Sequence, residues 1–427
     1  MIFRIKLLSP ILALLLFTVL PSSPVRAQRQ KKTDKLLLTN LDAHIRYLSD
    51  EKTGVSKMAG EKQAGDYIVS ELSKAGLKPK GDNGGWLQGF EIDQGRIVSG
   101  DAYFIVNDHP LILNKEYFPL AFSAIGTVSG SPAIALQESG VPWFLDLRDL
   151  LENQDGAKTD LLEAIHSKAA AFAKKGATAL IVYNTSKTPD NLTFDPKDKR
   201  EPAAIPIVYV TADAKKKYLR DESASVDIRI RTGFSEKTSS GHNVVGYIDN
   251  GASSTVLIGT RYEEDNVAGV AAMIELARML VPSRLKNNNY LFVAFSGIGQ
   301  GSFGSKFMAG HTPADTHQLN YLLELDRSAP PQDSTYGLIV GGSGSSPAWW
   351  GTCREAGKIA FPLHLDSSYA RSGDQTYFYS QRVPALVFYM GADKPGHMLE
   401  LEVLKYVFDI VKAANTRGKL AFTPTGS

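Results

Sequence analysis

The groups in this chain that suit catalysis or metal binding fall at the ends of its apolar runs. Arg261, Glu263, Glu264 and Asp265 follow the run 256–259, and Ile298 and Gly299 follow 290–295. Asp326 closes the run 321–325, and His397 lies just beyond 385–389. In open α/β sheets, ligands bind outside the carboxyl ends of the strands, so these positions converge on one prospective site. Carboxylates and a histidine meeting there suggest zinc.

A second motif sits in the same region. Gly299, Gly301 and Gly304 form a G-x-G-x-x-G after the apolar run 290–295, and Glu324 and Asp326 come about 20 residues later, as a dinucleotide fingerprint requires. The context is poor. Gly310, His311 and Pro313 leave little room for the long helix that such a fingerprint opens.

The elements that position these residues follow from periodicity. Leu36, Leu37, Leu41 and Ile45 recur at helical spacing, and a second helix over 64–75 places Ile68, Val69 and Leu72 on one face before Gly76 stops it. From about residue 100 the texture is short strands and loops: strands over 102–106, 133–136, 143–147, 177–183, 205–210 and 225–230, with a helix over 161–174. After Gly233 strands and helices alternate, with strands over 243–248, 255–260, 290–295, 321–325, 337–341 and 385–389. A helix with Val267, Val270, Ile274 and Ala277 inward follows the acidic turn, and a last helix spans 401–414. The expected fold is α/β, a mostly parallel sheet flanked by helices, interrupted by a β-rich insertion.

At this point the chain resembles a known family. The phrases HNVVGYI, VLIGTRYEEDNVAGVAAMIELARML, LFVAFSGIGQGSFGSKF, LLELD and PALVFYMGADKPGH look like the bacterial zinc aminopeptidases with a co-catalytic metal pair, whose relatives include glutamate carboxypeptidase and the transferrin receptor. The insertion, with KKGATALIVYN and IPIVYV, is similar to the protease-associated domain found inside that family. The resemblance divides the chain into a signal peptide over 1–27, a peptidase-like domain over 28–99 and 234–427, and a protease-associated-like insertion over 100–233.

The family's chemistry uses two metals about 3.5 Å apart that share an aspartate, with a glutamate as base. Residue by residue, the resemblance places the family's first histidine on Arg261 and its supporting aspartate on Glu263. The bridging aspartate falls on Asp265, followed by the family-like Asn266 and Gly269. The family's Gly-Glu-Glu is Gly297-Ile298-Gly299, so Ile298 stands where the base would be and Gly299 where a ligand would be. The remaining ligands match Asp326 and His397. A spacer loop before Asp265 is missing, and the tyrosine before the final histidine is Gly396.

Asp265, Asp326 and His397 are thus the residual metal ligands, two for each metal, below the three that catalytic zinc sites keep. No catalytic residue and no cofactor is expected, with zinc as the ion if the residual site functions. Arginine is always charged and does not ligate metals. Arg261 is expected to pair with Asp265 and Asp326; the other reading extends it to solvent. The resulting expectation is a peptidase-like binding or scaffolding protein without the reaction. The alternative is an active zinc exopeptidase that releases N-terminal residues, with Glu263 or Glu264 filling the gaps.

Composition bounds the rest. The 427 residues carry a net charge of +2, which implies no nucleic-acid partner. A lone cysteine, Cys353, excludes an internal disulfide framework. Arg4 and Lys6, the apolar run 7–20 and Val25-Arg26-Ala27 read as a signal peptide cleaved after Ala27. The protein is therefore expected to be exported, periplasmic or extracellular, without a membrane span after cleavage, and with an unknown peptide or protein partner.

Overall fold

The computed structural model describes residues 24–50, 58–152, 160–296, 302–313, 318–326, 338–368, 373–390 and 398–424. The chain opens with helices α1 (Pro24–Ser49) and α2 (Met58–Ala75), then strands β1 (Lys78–Pro79) and β2 (Leu87–Val98). Gly76, at φ +96°, stops α2 as its sequence position suggests.

Two compact units follow from the chain's contacts, one comprising Met1–Phe90 with Gly241–Ser427 and the other Glu91–Ser240. The second unit contains β3 (Tyr103–Val106), β4 (His109–Pro110), β5 (Tyr117–Pro119), β6 (Gly126–Gly130) and β7 (Trp143–Asp146). After α3 (Arg148–Glu152) and α4 (Leu161–Lys174) come β8 (Leu180–Tyr183), β9 (Ile207–Val210), α5 (Ala212–Tyr218) and β10 (Ile228–Thr232). They form two four-stranded sheets, ordered β4-β3-β10-β6 and β5-β9-β8-β7. The period of two along β8 explains how these layers stack. Ile181 and Tyr183 join Phe104, Ile228 and Ile230 in the core between the sheets, while Leu180 and Val182 pack with Ile165 and Ala169 of α4. Asp160 caps α4 by accepting from the Leu162 and Glu163 backbone N–H groups at 3.0 and 3.2 Å. The expected strand over 133–136 does not form. Only an isolated bridge, Ala133 to Ser225, occurs there, because Pro132 precedes it and the segment turns at once.

The first unit resumes within β11 (Phe234–Ile248) and continues with β12 (Thr255–Arg261), α6 (Val267–Leu280), β13 (Asn289–Phe295), α7 (Phe303–Gly310) and β14 (Leu319–Asp326). It ends with β15 (Leu338–Gly341), α8 (Ala348–Ala356), β16 (Leu363–Leu365), α9 (Gln375–Ser380), β17 (Ala385–Met390) and α10 (Met398–Ala414). The sheet order is β1-β11-β13-β12-β14-β17-β15-β16, with β2 paired to β11. The four central strands, β13-β12-β14-β17, are parallel, whereas β11 and β15 join them antiparallel. The fold is a mixed α/β sheet flanked by helices.

Buried parallel strands must be apolar on both faces, and β13 and β14 are buried at every position. Helix α6 was expected to bury one face. It is buried from Val267 through Ala277 because it packs against the sheet on one side and α1, α2 and α10 on the other. Each large side chain buried here, such as Ile274 or Leu276, contributes about 1.5–3 kcal/mol. No helix among the described residues is long and apolar enough to cross a membrane.

Candidate functional site

Strand register builds the site before any side chain is considered. Gly259 of β12 pairs with Glu324 of β14, so two residues farther on Arg261 stands level with Asp326. On the other side Arg261 pairs with Phe295 of β13. The carboxyl ends of three adjacent strands therefore meet at Arg261.

The turn after β12 is held by Asn266. This buried amide donates to Thr260 Oγ1 at 3.0 Å, to the Arg261 carbonyl at 2.8 Å and to the Leu325 carbonyl at 3.3 Å, tying the start of α6 to the end of β14. Gly269 completes the joint. A Cβ there would meet Asn266 Oδ1 at 2.6 Å, Thr260 Oγ1 at 2.7 Å and the Leu325 carbonyl at 2.8 Å, so the helix approaches the strands this closely only with glycine.

Arg261 is surrounded by acids. Its guanidinium donates to Glu263 Oε2 at 2.8 Å and to Asp326 Oδ1 at 3.3 Å, and Nε lies 3.6 Å from Asp374 Oδ2. Burial alone would lower the arginine's pKa, but Asp326, Glu263 and Asp374 outweigh it and raise the value. Asp374 precedes α9 and is almost wholly buried; burial raises its carboxyl, and the Ser305 hydroxyl that donates to it opposes the rise. Burial also raises Glu263, against the pull of Arg261. Behind them sits Glu324, 1% exposed, with neither carboxylate oxygen in hydrogen-bond geometry. Burial drives its pKa well up, and Asp374 and Asp326 add to the rise; the Arg261 charge only partly offsets it. Burial disfavours the charged form of this carboxyl, because desolvating an ion is costly.

A second polar group lies at the same strand ends. Glu61, near the start of α2, accepts from the Ser296 hydroxyl just after β13, and the Tyr262 hydroxyl lies 3.0 Å from the same oxygen and against the His242 carbonyl. Burial raises the pKa of Glu61, with Ser296 and Tyr262 opposing. Glu61 is a first-turn helix acid in sequence, and nothing in its spacing points to β12 and β13.

The expected site residues divide as follows. Asp326 lies buried beside Arg261. Asp265 does not pair with Arg261: it occupies the 3-10 turn Glu264–Asn266 with its side chain exposed, while Glu263 and Asp374 take the guanidinium instead. The missing spacer is the physical reason. Asn266 pins the short turn to β12 and β14, which leaves the two residues before it on the solvent side. His397, Ile298 and Gly299 lie outside the described residues. Asp374 was not legible, since an acid ahead of a helix reads simply as a cap and its partner is distant in the chain. The third glycine of the G-x-G-x-x-G has a structural role. A Cβ on Gly304 would meet Asn243 Oδ1 at 2.4 Å and the Ser296 backbone at 2.8 Å, and the helix it opens, α7, has only 8 residues.

The described residues do not fit a zinc ion. Arg261 places a fixed positive charge on Asp326, and among the described residues no group of three or more His, Cys, Asp or Glu side chains is arranged to hold a metal. What the arrangement does is neutralise buried carboxylates with a guanidinium.

No curated protein matches the chain in sequence. Among solved structures, an aminopeptidase from Aneurinibacillus sp. strain AM-1 is similar at 20% identity, covering 91% of this chain and 96% of that one with a TM-score of 0.44. The zinc aminopeptidase BSAP from Bacillus subtilis is similar at 18% identity, covering 88% and 94%, also with a TM-score of 0.44. A peptidase M28 precursor from Shewanella amazonensis SB2B is similar at 16% identity, covering 94% and 99%, with a TM-score of 0.41. At TM-scores below 0.5 these likenesses carry no weight for function. In sequence, residues 263–413 match the model of Peptidase family M28.

Proposed function

We propose that this protein is an exported relative of the M28 aminopeptidases that has lost catalysis and serves as a binding or scaffolding protein. One observation carries the reading: at the strand ends where the resemblance calls for a metal ligand, the Arg261 guanidinium is ion-paired with Asp326 and Asp374. A cation supplied by the chain removes the need for a metal to neutralise these carboxylates, and it would repel one. Ile298 in place of the base adds independent support, because general-base catalysis contributes about a hundredfold to ten-thousandfold and isoleucine accepts no proton. In this reading residues 100–233 are a protease-associated-like insertion, the first 27 residues a signal peptide, and Asp265, Asp326 and His397 the remnants of the ligand set.

The test is hydrolysis of amino-acid anilides by the purified protein, with and without added zinc. No turnover in either condition is expected. Turnover that depends on zinc and disappears in Asp265→Ala would instead make the protein an active exopeptidase.

A further inference from the structure

Two Asn-Gly pairs occur in the sequence, at 83–84 and at 250–251, and each follows an aspartate. An asparagine before glycine is open to attack from its own backbone, because glycine has no side chain to hinder its amide nitrogen or to restrict the rotation that brings that nitrogen to the asparagine Cγ. The two triplets are chemically identical, so a difference in their fate is made by the fold.

Asn250 is held at both reacting groups. Its side-chain amide donates to the Asn288 carbonyl at 2.7 Å, and the Gly251 nitrogen, the attacking atom, donates to Asp249 Oδ1 at 2.9 Å. The backbone N–H groups of Asn250 and Ala252 both donate to Asn289 Oδ1, at 2.9 and 3.1 Å. Asn288 and Asn289 are buried at the start of β13, so this turn is tied to the sheet. Ring closure at Asn250 requires several of these bonds to open together.

Asn83 lies between β1 and β2 in the 3-10 turn Asp82–Gly84, and all three of its residues are exposed. The Asn83 side-chain amide has no hydrogen-bond partner among the described residues. Its backbone sits at φ +52° and that of Gly84 at φ +75°. The turn is fastened only to its own neighbours: the Gly85 N–H donates to the Asp82 carbonyl at 2.8 Å, the Gly81 N–H to the Gly85 carbonyl at 2.7 Å, and the Gly89 N–H to Asp82 Oδ2 at 2.8 Å. An exposed turn fastened only to itself opens without disturbing the rest of the fold.

We propose that Asn83 is a site of spontaneous deamidation, converted through attack by the Gly84 nitrogen into aspartate and isoaspartate, whereas the fold protects Asn250. The Gly84 nitrogen gives up its proton and bonds to Asn83 Cγ, the Cγ–Nδ2 bond breaks, and ammonia leaves. Water then opens the resulting five-membered imide. Opening at Cγ yields aspartate, and opening at the backbone carbonyl yields isoaspartate, whose main chain is one methylene longer. Aspartate tolerates the left-handed conformation at position 83. Isoaspartate does not fit the turn. The Lys80 N–H and the Trp86 carbonyl are both bonded to Val245, at 3.1 and 2.7 Å, which fixes the ends of the segment, and a Cβ on Gly81 would already fall 2.4 Å from the Leu87 carbonyl oxygen.

The inference is independent of zinc and of turnover. To test it, the whole chain is incubated in mildly alkaline and mildly acidic buffer, and in denaturant, and its peptides are followed by mass spectrometry, with isoaspartate read by fragmentation. In the folded chain Asn83 should convert at least about tenfold faster than Asn250, the factor that two broken hydrogen bonds supply. Conversion should be faster in the alkaline buffer, because the attacking nitrogen must lose its proton, and the two rates should approach each other in denaturant. Asn83→Gln should abolish conversion at 83 and leave that at Asn250 unchanged. The proposal is overturned if Asn83 keeps its amide in the folded chain, or if Asn250 converts there at the same rate.

Discussion

The Arg261 guanidinium lies 3.3 Å from the Asp326 carboxylate, at level positions on adjacent parallel strands. Side-chain exposures of 20% and 7% make this a largely buried pair, and Asp374, fully buried, leans on the same charge. Breaking such a pair by removing one partner leaves carboxylates stranded and costs about 3–5 kcal/mol. Arg261→Met should therefore lower the unfolding free energy obtained from denaturant melts by that amount, whereas Arg261→Lys should lose less because the charge remains without its fork.

Glu324 should behave in the opposite way. Its folded pKa is raised by burial, so its contribution to stability is intact below the ordinary carboxylate range, about 4, and is lost as pH rises from there through the folded value. Glu324→Gln removes the titration but keeps the shape. Thermal melts of the two proteins should agree near pH 4 and diverge by pH 8, with the glutamine variant the more stable.

The helical layer supplies the contrasting sign. Glu275 of α6 is buried, and it accepts from Asn40 at 3.0 Å and His44 at 3.1 Å on α1, and from Arg278 at 2.6 Å. Burial pushes its pKa up, but these donors together bring it below the ordinary value. Its contribution is thus present above the ordinary range and is lost as pH falls through the lowered folded value. Glu275→Gln should flatten the acid limb of the stability profile, and His44→Ala, which takes one donor from Glu275 and the ring partner from the Tyr67 hydroxyl, should cost about 1–3 kcal/mol and speed proteolysis of α1.

Glu61 joins α2 to the ends of β12 and β13 through Tyr262 and Ser296. In Glu61→Ala the Ser296 hydroxyl loses its acceptor while Tyr262 keeps the His242 carbonyl, for a cost of about 1–3 kcal/mol. Amide exchange over residues 58–75 should accelerate more than exchange in α6, because α2 loses its tie to the strand ends while α6 stays buried all round.

Much of this was readable from residue order. The helix expected over 161–174 is α4 itself, and the strands expected over 255–260, 290–295, 321–325 and 385–389 each fall within one residue of β12, β13, β17 or, at its start, two of β14. Long apolar runs between turn residues made these elements plain. The site was only half readable. Asp326 and Arg261 were found because each sits at a strand end, but Asp374 and Glu61 reach Arg261 and Tyr262 from elements far away in the chain. Side-chain period says nothing about such meetings. The exposed placement of Asp265 depends on how tightly Asn266 ties a shortened turn, which is a matter of three-dimensional closure and not of composition.

The most direct test of the central claim is the zinc content of the purified chain after dialysis against zinc and removal of excess ion. A charge already supplied by Arg261 predicts far less than one zinc per chain, unchanged in Asp326→Ala. Stoichiometric zinc that is lost on substituting Asp265 or Asp326 would contradict the account.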